Sequence, residues 1–256
     1  VLRLVVPVGL SFRALQKLGY VIDVYHGRLP ATRDALAYGT WVTFFPQMLA
    51  GPITRAGAMF PQLEASRVPR APQWASGAAT FLLGFALKAF VAERLGMHLV
   101  DGVFAEPGRF DAISHWVALL GYAGQVFSDF CGYSLMAIGV GRLLGIELPE
   151  NFNYPFLSRS LPEMWRRWHI TLNTWLFDYI FVPLTTGDGW FRGRFAAGFV
   201  VVFLVSGLWH GAAWTFVLWG LLHGVGLAVH DAYDRWYKAK CRADRSWVAR
   251  RKSAGY

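Results

Sequence analysis

The chain of 256 residues is 55% hydrophobic and 16% aromatic, and only 16% of its residues are charged, against about a quarter in soluble domains. That composition excludes an ordinary soluble domain and points to a polytopic α-helical membrane protein whose 12 Trp suit membrane–water interfaces. The net charge of +9 is mostly local: the eight basic residues from Arg235 to Lys252, against Asp244 alone, supply +7. They read as a positive-inside anchor and not as a nucleic-acid surface, with 234–256 a cytoplasmic tail and 1–233 the membrane core.

In chain order, residues 1–10 are apolar apart from Arg3. The first residue is Val, and the opening reads as the middle of something longer, so N-terminal helices are expected to precede it. Residues 11–25 follow as a mixed helix whose wet end is marked by Asp23, His26 and Arg28. Residues 36–53 are apolar but interrupted by Pro46 and Gly51-Pro52. This suits a kinked or re-entrant helix whose freed backbone groups are satisfied by protein or water. Residues 55–73 read as a polar, Pro-rich loop. Residues 74–92 are a transmembrane candidate with Lys88 late enough to snorkel, and 96–110 are loop or short helix. Residues 112–141 carry a single charge, Asp129, near mid-depth. At about 1.5 Å per residue they are long enough to span with tilt to spare. An irregular loop follows over 142–158.

Ser160-Leu161-Pro162-Glu163 has the form of a capping box. The helix it opens is predicted to run to about Phe181. Helical spacing puts Trp165, Arg166, His169, Leu172, Asn173 and Leu176 on one face, and the mixed polarity suits a helix at the membrane interface. Next, residues 195–230 form a run without Asp, Glu, Lys or Arg. As one straight helix it would be about 54 Å long, beyond the roughly 30 Å hydrocarbon core. The run therefore crosses twice or turns along an interface, and the Gly207/Gly211 pair is the cheapest place to break or crowd it.

His210 lies at that break. Imidazole is expensive to place in or at the edge of a membrane and well suited to moving protons near neutral pH. His169, beside Arg166 and Asn173, is the second candidate. Asp129 shares a face with Tyr122, Gln125, Tyr133 and Met136. A buried carboxylate there is either paired with Lys or Arg from another helix or set in the wall of a water-filled cavity. His223 and His230 read as structural, and Cys131 as a packing residue; two cysteines indicate no disulfide framework. The sequence has no Gly-rich phosphate loop, zinc-ligand spacing or Gly-x-Ser-x-Gly elbow, which argues against ATP-driven transport, zinc hydrolysis and serine hydrolysis. No metal site and no tightly bound cofactor are expected. Two histidines on separate membrane elements suit removal of a proton from a hydroxyl as it attacks an activated acyl group such as a thioester. A non-enzymatic conduit for a polysaccharide or lipid precursor would use the same polar residues as a pore lining.

Several blocks follow one another in the chain: Pro7-Val8-Gly9-Leu10-Ser11-Phe12, Tyr20-x-Ile22-Asp23-Val24-Tyr25, and Phe44-Phe45-Pro46-Gln47-x-x-Ala50-Gly51-Pro52-Ile53-x-Arg55. Then come Asp129-Phe130-x-Gly132-Tyr133-Ser134-x-Met136-Ala137-Ile138-Gly139, Pro149-Glu150-Asn151-Phe152-Asn153, Trp165-Arg166-Arg167-Trp168-His169-Ile170 and Trp209-His210-Gly211-Ala212. In that order they resemble the membrane-bound O-acyltransferases. The nearest branch is that of bacterial alginate O-acetylation and teichoic-acid D-alanyl transfer.

The resemblance implies an all-α, multi-pass fold in the bacterial cytoplasmic membrane, with transmembrane, re-entrant and interfacial helices. It implies that the family's two motif histidines fall on His169 and His210, with His210 the essential one, and that Asp129, Tyr133, Trp165, Arg166, Asn173 and Trp209 shape a substrate tunnel. The donor would be acetyl-CoA or another acyl thioester, with a cytoplasmic carrier protein as a further partner. The acceptor would be an exported polysaccharide such as alginate, reached through a periplasmic acyltransferase partner, or teichoic acid with a D-alanyl donor. Membrane lipids would surround the core. The chain departs from the branch pattern at Arg13, Cys131, Leu135, Phe177 and Thr185-Thr186, none of which is either histidine.

Overall fold

The computed structural model describes residues 9–65 and 69–243. Every regular element among them is a helix. The chain divides into two compact units. The first holds Val1–Asn153 together with His169–Leu172, and the second holds Tyr154–Trp168 and Asn173–Tyr256.

In the first unit, α1 (Leu10–Tyr25) is followed by α2 (Ala35–Thr43), whose N-terminus is capped by Asp34 Oδ1 accepting from the Leu36 and Ala37 amides at 2.8 and 2.9 Å. That cap satisfies amides with no partner inside the helix. After α2 the chain breaks at a single 3₁₀ turn, Phe45–Gln47, as Pro46 requires. The irregular 36–53 segment is thus broken where the sequence indicated. Its polar groups are satisfied internally. Thr54 Oγ1 accepts from Gln16 Nε2 (3.3 Å) and Trp41 Nε1 (3.0 Å) and donates to Gln47 Oε1 (2.7 Å), and Gln47 Nε2 donates to the Trp41 carbonyl (2.8 Å). Trp41, Phe44, Met59, Phe60, Ile138 and Leu148 form the apolar core around this network.

The expected loop over 55–73 is corrected by α3 (Ala56–Glu64), which contains Pro61. An interior proline costs about 3 kcal/mol, but Ala56, Met59 and Phe60 are buried, and that burial outweighs it. Residues 96–110, read as loop or short helix, are helical as far as Ala105, because α4 runs from Ala71 to Ala105. It continues past Gly96 by way of two π-helical segments, Leu87–Ala92 and Gly96–Val100.

The partner of α4 is α5 (Ala112–Leu143), capped by Asp111 Oδ1 accepting from the Ser114 amide at 2.8 Å. The two run antiparallel and touch backbone to backbone. A Cβ at Gly84 would lie 2.5 Å from the Gly132 carbonyl oxygen, and one at Gly132 would lie 2.6 Å from that of Gly84. Only glycine permits such an approach. Further along, Leu95 and Leu99 press on Gly124 and Gly121. Among the described residues α4 is the one helix long and apolar enough to cross a membrane. The crossing expected at 112–141 falls on α5, which has the length but is diluted by Ser, Gln, His and Asp side chains.

In the second unit, α6 (Leu161–Arg167) is capped by Ser160 Oγ accepting from the Glu163 amide at 3.3 Å. Glu163 reaches back to the Arg159 amide at 2.8 Å, one residue before the cap. The single helix expected from 160 to about 181 is corrected. It stops at Arg167, Trp168 is extended (φ −108°, ψ 129°), His169 takes φ +43°, and α7 (Ile170–Leu176) begins beyond it. Helical winding then continues through a π segment, Phe177–Phe181, to Thr186.

The uncharged run becomes a helical hairpin of α8 (Phe195–His210) and α9 (Trp214–Ala243). It breaks at Gly211, and Gly207 packs on the Phe216 backbone while Gly220 packs on that of Phe203. Both functions expected of the Gly207/Gly211 pair, crowding and breaking, are therefore present. The α8 helix is apolar but shorter than a membrane span. The α9 helix passes the 233/234 boundary without interruption, with Asp231–Arg235 and Asp234–Lys238 pairs one turn apart. Arg245, Arg250, Arg251 and Lys252 of the basic tail, and Pro7-Val8 of the first motif, lie outside the described residues.

Candidate functional site

In the first unit His169 is 3% exposed. Its ring meets the edge of Phe130 at 4.6 Å and 85°, and Phe12 lies 6.3 Å away. Phe130 in turn rests on Phe152 at 5.0 Å. A non-glycine residue in the left-handed region costs about 1–3 kcal/mol and persists only where its surroundings over-determine it. Here the two residues after His169 are tied down. Ile170 donates its amide to the Asn151 carbonyl (2.9 Å), and Thr171 donates both amide (3.3 Å) and hydroxyl (2.7 Å) to Asn151 Oδ1. Consequently His169 does not share a helical face with Trp165, Arg166 and Asn173, as the spacing predicted.

Asp129 pairs with Lys88 across the α4–α5 crossing, one turn from the Gly84–Gly132 contact. This is the structural pair weighed for it in the sequence. Tyr133 is half-buried on α5.

In the second unit His210 ends α8 and stays exposed. Three aromatic rings surround it: Trp209 at 4.9 Å, Trp219 edge-on at 5.3 Å and 82°, and Phe216 near-parallel at 6.0 Å. The contacts continue as a ladder, from Trp219 to His223 at 4.8 Å and from His223 to Trp165 at 4.9 Å. Such rings hold an imidazole laterally and leave its nitrogens to other partners.

At the far end of that ladder, Trp165 lines a cavity of about 560 Å³ together with Arg166, Asn173, Thr174, Phe177, Phe203, His230 and Asp234. Asn173 Nδ2 donates to the Trp165 carbonyl at 2.8 Å, satisfying one of the orphan carbonyls where α6 stops. Beside the cavity, Glu163 accepts from the Arg159 amide and pairs with Arg167 at 2.6 Å, which together hold its carboxyl below the usual range.

The structure thus gathers Trp165, Arg166 and Asn173 at one cavity and Trp209 beside His210, while Asp129, Tyr133 and His169 belong to the first unit. The sequence read His223 as structural and Lys88 as a snorkelling residue and held Asn151 only as part of a motif; the partners of all three are set by the tertiary structure. The His223 signal was legible as a histidine 13 residues after His210 in an uncharged run, but its ring contacts depend on the hairpin. Among the described residues no three His, Cys, Asp or Glu side chains gather as a metal site.

Residues 28–249 match the model of MBOAT, the membrane-bound O-acyltransferase family. The chain is 40% identical over 234 residues to a probable alginate O-acetylase of Azotobacter vinelandii, covering 91% of this chain and 46% of that protein. It is 35% identical over 259 residues to a peptidoglycan O-acetyltransferase of Helicobacter pylori (91% and 49%) and 27% identical over 238 residues to a teichoic acid D-alanyltransferase of Bacillus subtilis (90% and 60%). The chain spans about half the length of the curated relatives it matches.

Proposed function

The chain belongs to the membrane-bound O-acyltransferase family, and from that membership we propose that it carries the reaction centre of an O-acyltransferase acting on an exported polysaccharide such as alginate. The acyl group is acetyl, delivered from the cytoplasmic side as acetyl-CoA or another acyl thioester. The protein crosses the bacterial cytoplasmic membrane several times, and a periplasmic acyltransferase partner completes delivery to the polymer. His210 is the general base and His169 supports it. Asp129, Tyr133, Trp165, Arg166, Asn173 and Trp209 shape the path of the substrates.

The chemistry needs one proton moved. A hydroxyl oxygen attacks the thioester carbonyl carbon, the C–O bond forms, and the C–S bond breaks. The hydroxyl proton passes to the imidazole and from it to the departing thiolate. The observation that carries this reading is the position of His210: exposed at the end of an apolar helix, with its ring held by Trp209, Trp219 and Phe216. A general base must be both reachable and oriented, and this arrangement supports both.

The test is the ester content of the host's exported polysaccharide with wild type, His210→Ala and His169→Ala at matched membrane levels. Loss of O-acetyl ester with continued export of the polymer is the expected result. Unchanged ester in both variants would overturn the catalytic reading in favour of a conduit. Loss of D-alanyl ester from teichoic acid would redirect it toward the function that the B. subtilis relative is named for.

A further inference from the structure

Asn151 is 1% exposed and every polar group of its side chain is used. Its Oδ1 accepts from the amide and hydroxyl of Thr171, its Nδ2 donates to Ser134 Oγ on α5 at 3.1 Å, and its own carbonyl accepts from the Ile170 amide. Thr171 is held from a second side, because its Oγ1 accepts the Ile53 amide at 3.0 Å. Two separate stretches of the first unit, at Asn151 and Ile53, therefore converge on the two residues that follow His169, and Ser134 braces Asn151 from behind. A helix begun at Ser160 would otherwise continue through position 169 with φ near −63°. The amides of Ile170 and Thr171 instead point to Asn151, and the chain enters them through the left-handed turn at His169, φ +43°. The same turn sets the His169 ring against the Phe130 edge.

We infer that Asn151 and Thr171 are positioning residues for His169: their hydrogen bonds hold its backbone in the left-handed conformation and thereby aim its ring. This inference rests on the reading that His169 takes part in acyl transfer. Neither residue touches the reacting atoms. An imidazole displaced by about 1 Å is enough to cost on the order of a hundredfold in rate, so loss of the clamp should act on turnover through His169.

The experiment uses the full-length protein in its host, with hydroxylamine-labile acetate on the exported polysaccharide as the readout and membrane levels matched. Thr171→Val keeps the shape and removes both hydroxyl bonds; the ester content should fall about tenfold or more. Thr171→Ser keeps the hydroxyl and should restore most of it. Ser134→Ala removes one bond at the far end of Asn151 and should give a smaller loss. In a His169→Ala background, adding Thr171→Val should lower the ester no further. If Thr171→Val at normal membrane level keeps its ester, or if its loss multiplies with that of His169→Ala, the positioning role is overturned. If His169→Ala itself is fully active, the catalytic reading of His169 fails instead, and the two failures are separate results. Should Thr171→Val not accumulate, Ser134→Ala and its double variant with His169→Ala decide the same question.

Discussion

Trp219 stands edge-on to His210, with ring centroids 5.3 Å apart and planes at 82°. It also meets His223, at 4.8 Å. One indole therefore orients two imidazoles. Trp219→Ala should lower ester formation about tenfold, and Trp219→Phe, which keeps an aromatic edge, should lose less. Acetate released from the exported polymer at matched membrane levels measures both. Equal activity of Trp219→Ala and wild type would show that His210 needs no lateral support.

The left-handed backbone at His169 gives a stability prediction separate from chemistry. Both His169→Gly and His169→Ala remove the imidazole, but only glycine occupies φ +43° without strain. The glycine variant should be the more stable of the two by about 1 kcal/mol, seen as a higher Tm in detergent. The reverse order would mean that position 169 is not held in that conformation.

Lys88 and Asp129 pair across two helices read as membrane-spanning, where an ionised side chain is costly without a partner. Lys88→Asp should lower Tm by placing two carboxylates together, and the exchange Lys88→Asp with Asp129→Lys should recover most of the loss. A double variant no better than the single would show that something other than the charge pair is at stake.

Gly84 permits the backbone contact between α4 and α5. Gly84→Val should destabilise by about 1–3 kcal/mol or more, through overpacking against the Gly132 carbonyl. The same change at Gly108, where nothing lies within 4 Å, is the control. Comparable melting of the two variants would contradict the close crossing.

Glu163 has its carboxyl pKa lowered in the folded state by the Arg159 amide and Arg167. Its contribution is present above the unfolded carboxylate pKa, about 4.3, and is lost as pH falls through the lower folded value. The Tm difference between wild type and Glu163→Gln should therefore be steady near neutral pH and vanish in acid. A difference that grows on acidification would reverse the sign of the shift.

The elements most legible in the sequence were those governed by local chemistry. Pro46 broke the 36–53 segment, Ser160 capped α6, and Gly211 opened the hairpin, each for a reason carried by one residue. What could not be read locally was set by distant partners. The break before His169 lies inside a sequence with sound helical spacing, and it is enforced by Asn151, 18 positions earlier in the chain. The α3 helix forms despite Pro61 because Met59 and Phe60 have a core to enter. Likewise, Asp129 announced the need for a partner, but only the glycine crossing brings Lys88 to it.

The two π segments of α4 have a consequence for how chains of this kind can change length. A π turn holds one residue more than the α turn it replaces. Deleting a single residue between Leu87 and Ala92 would leave an α turn in place of the wider one and keep the helix beyond it in nearly the same phase, so that Leu95 and Leu99 still face Gly124 and Gly121. The same deletion within the regular stretch Ala71–Ala86 would rotate everything downstream by roughly 100°. One-residue length changes in this helix should therefore be tolerated at its π segments and not in its α stretches, and an alignment gap there marks a turn of the helix rather than a missing loop.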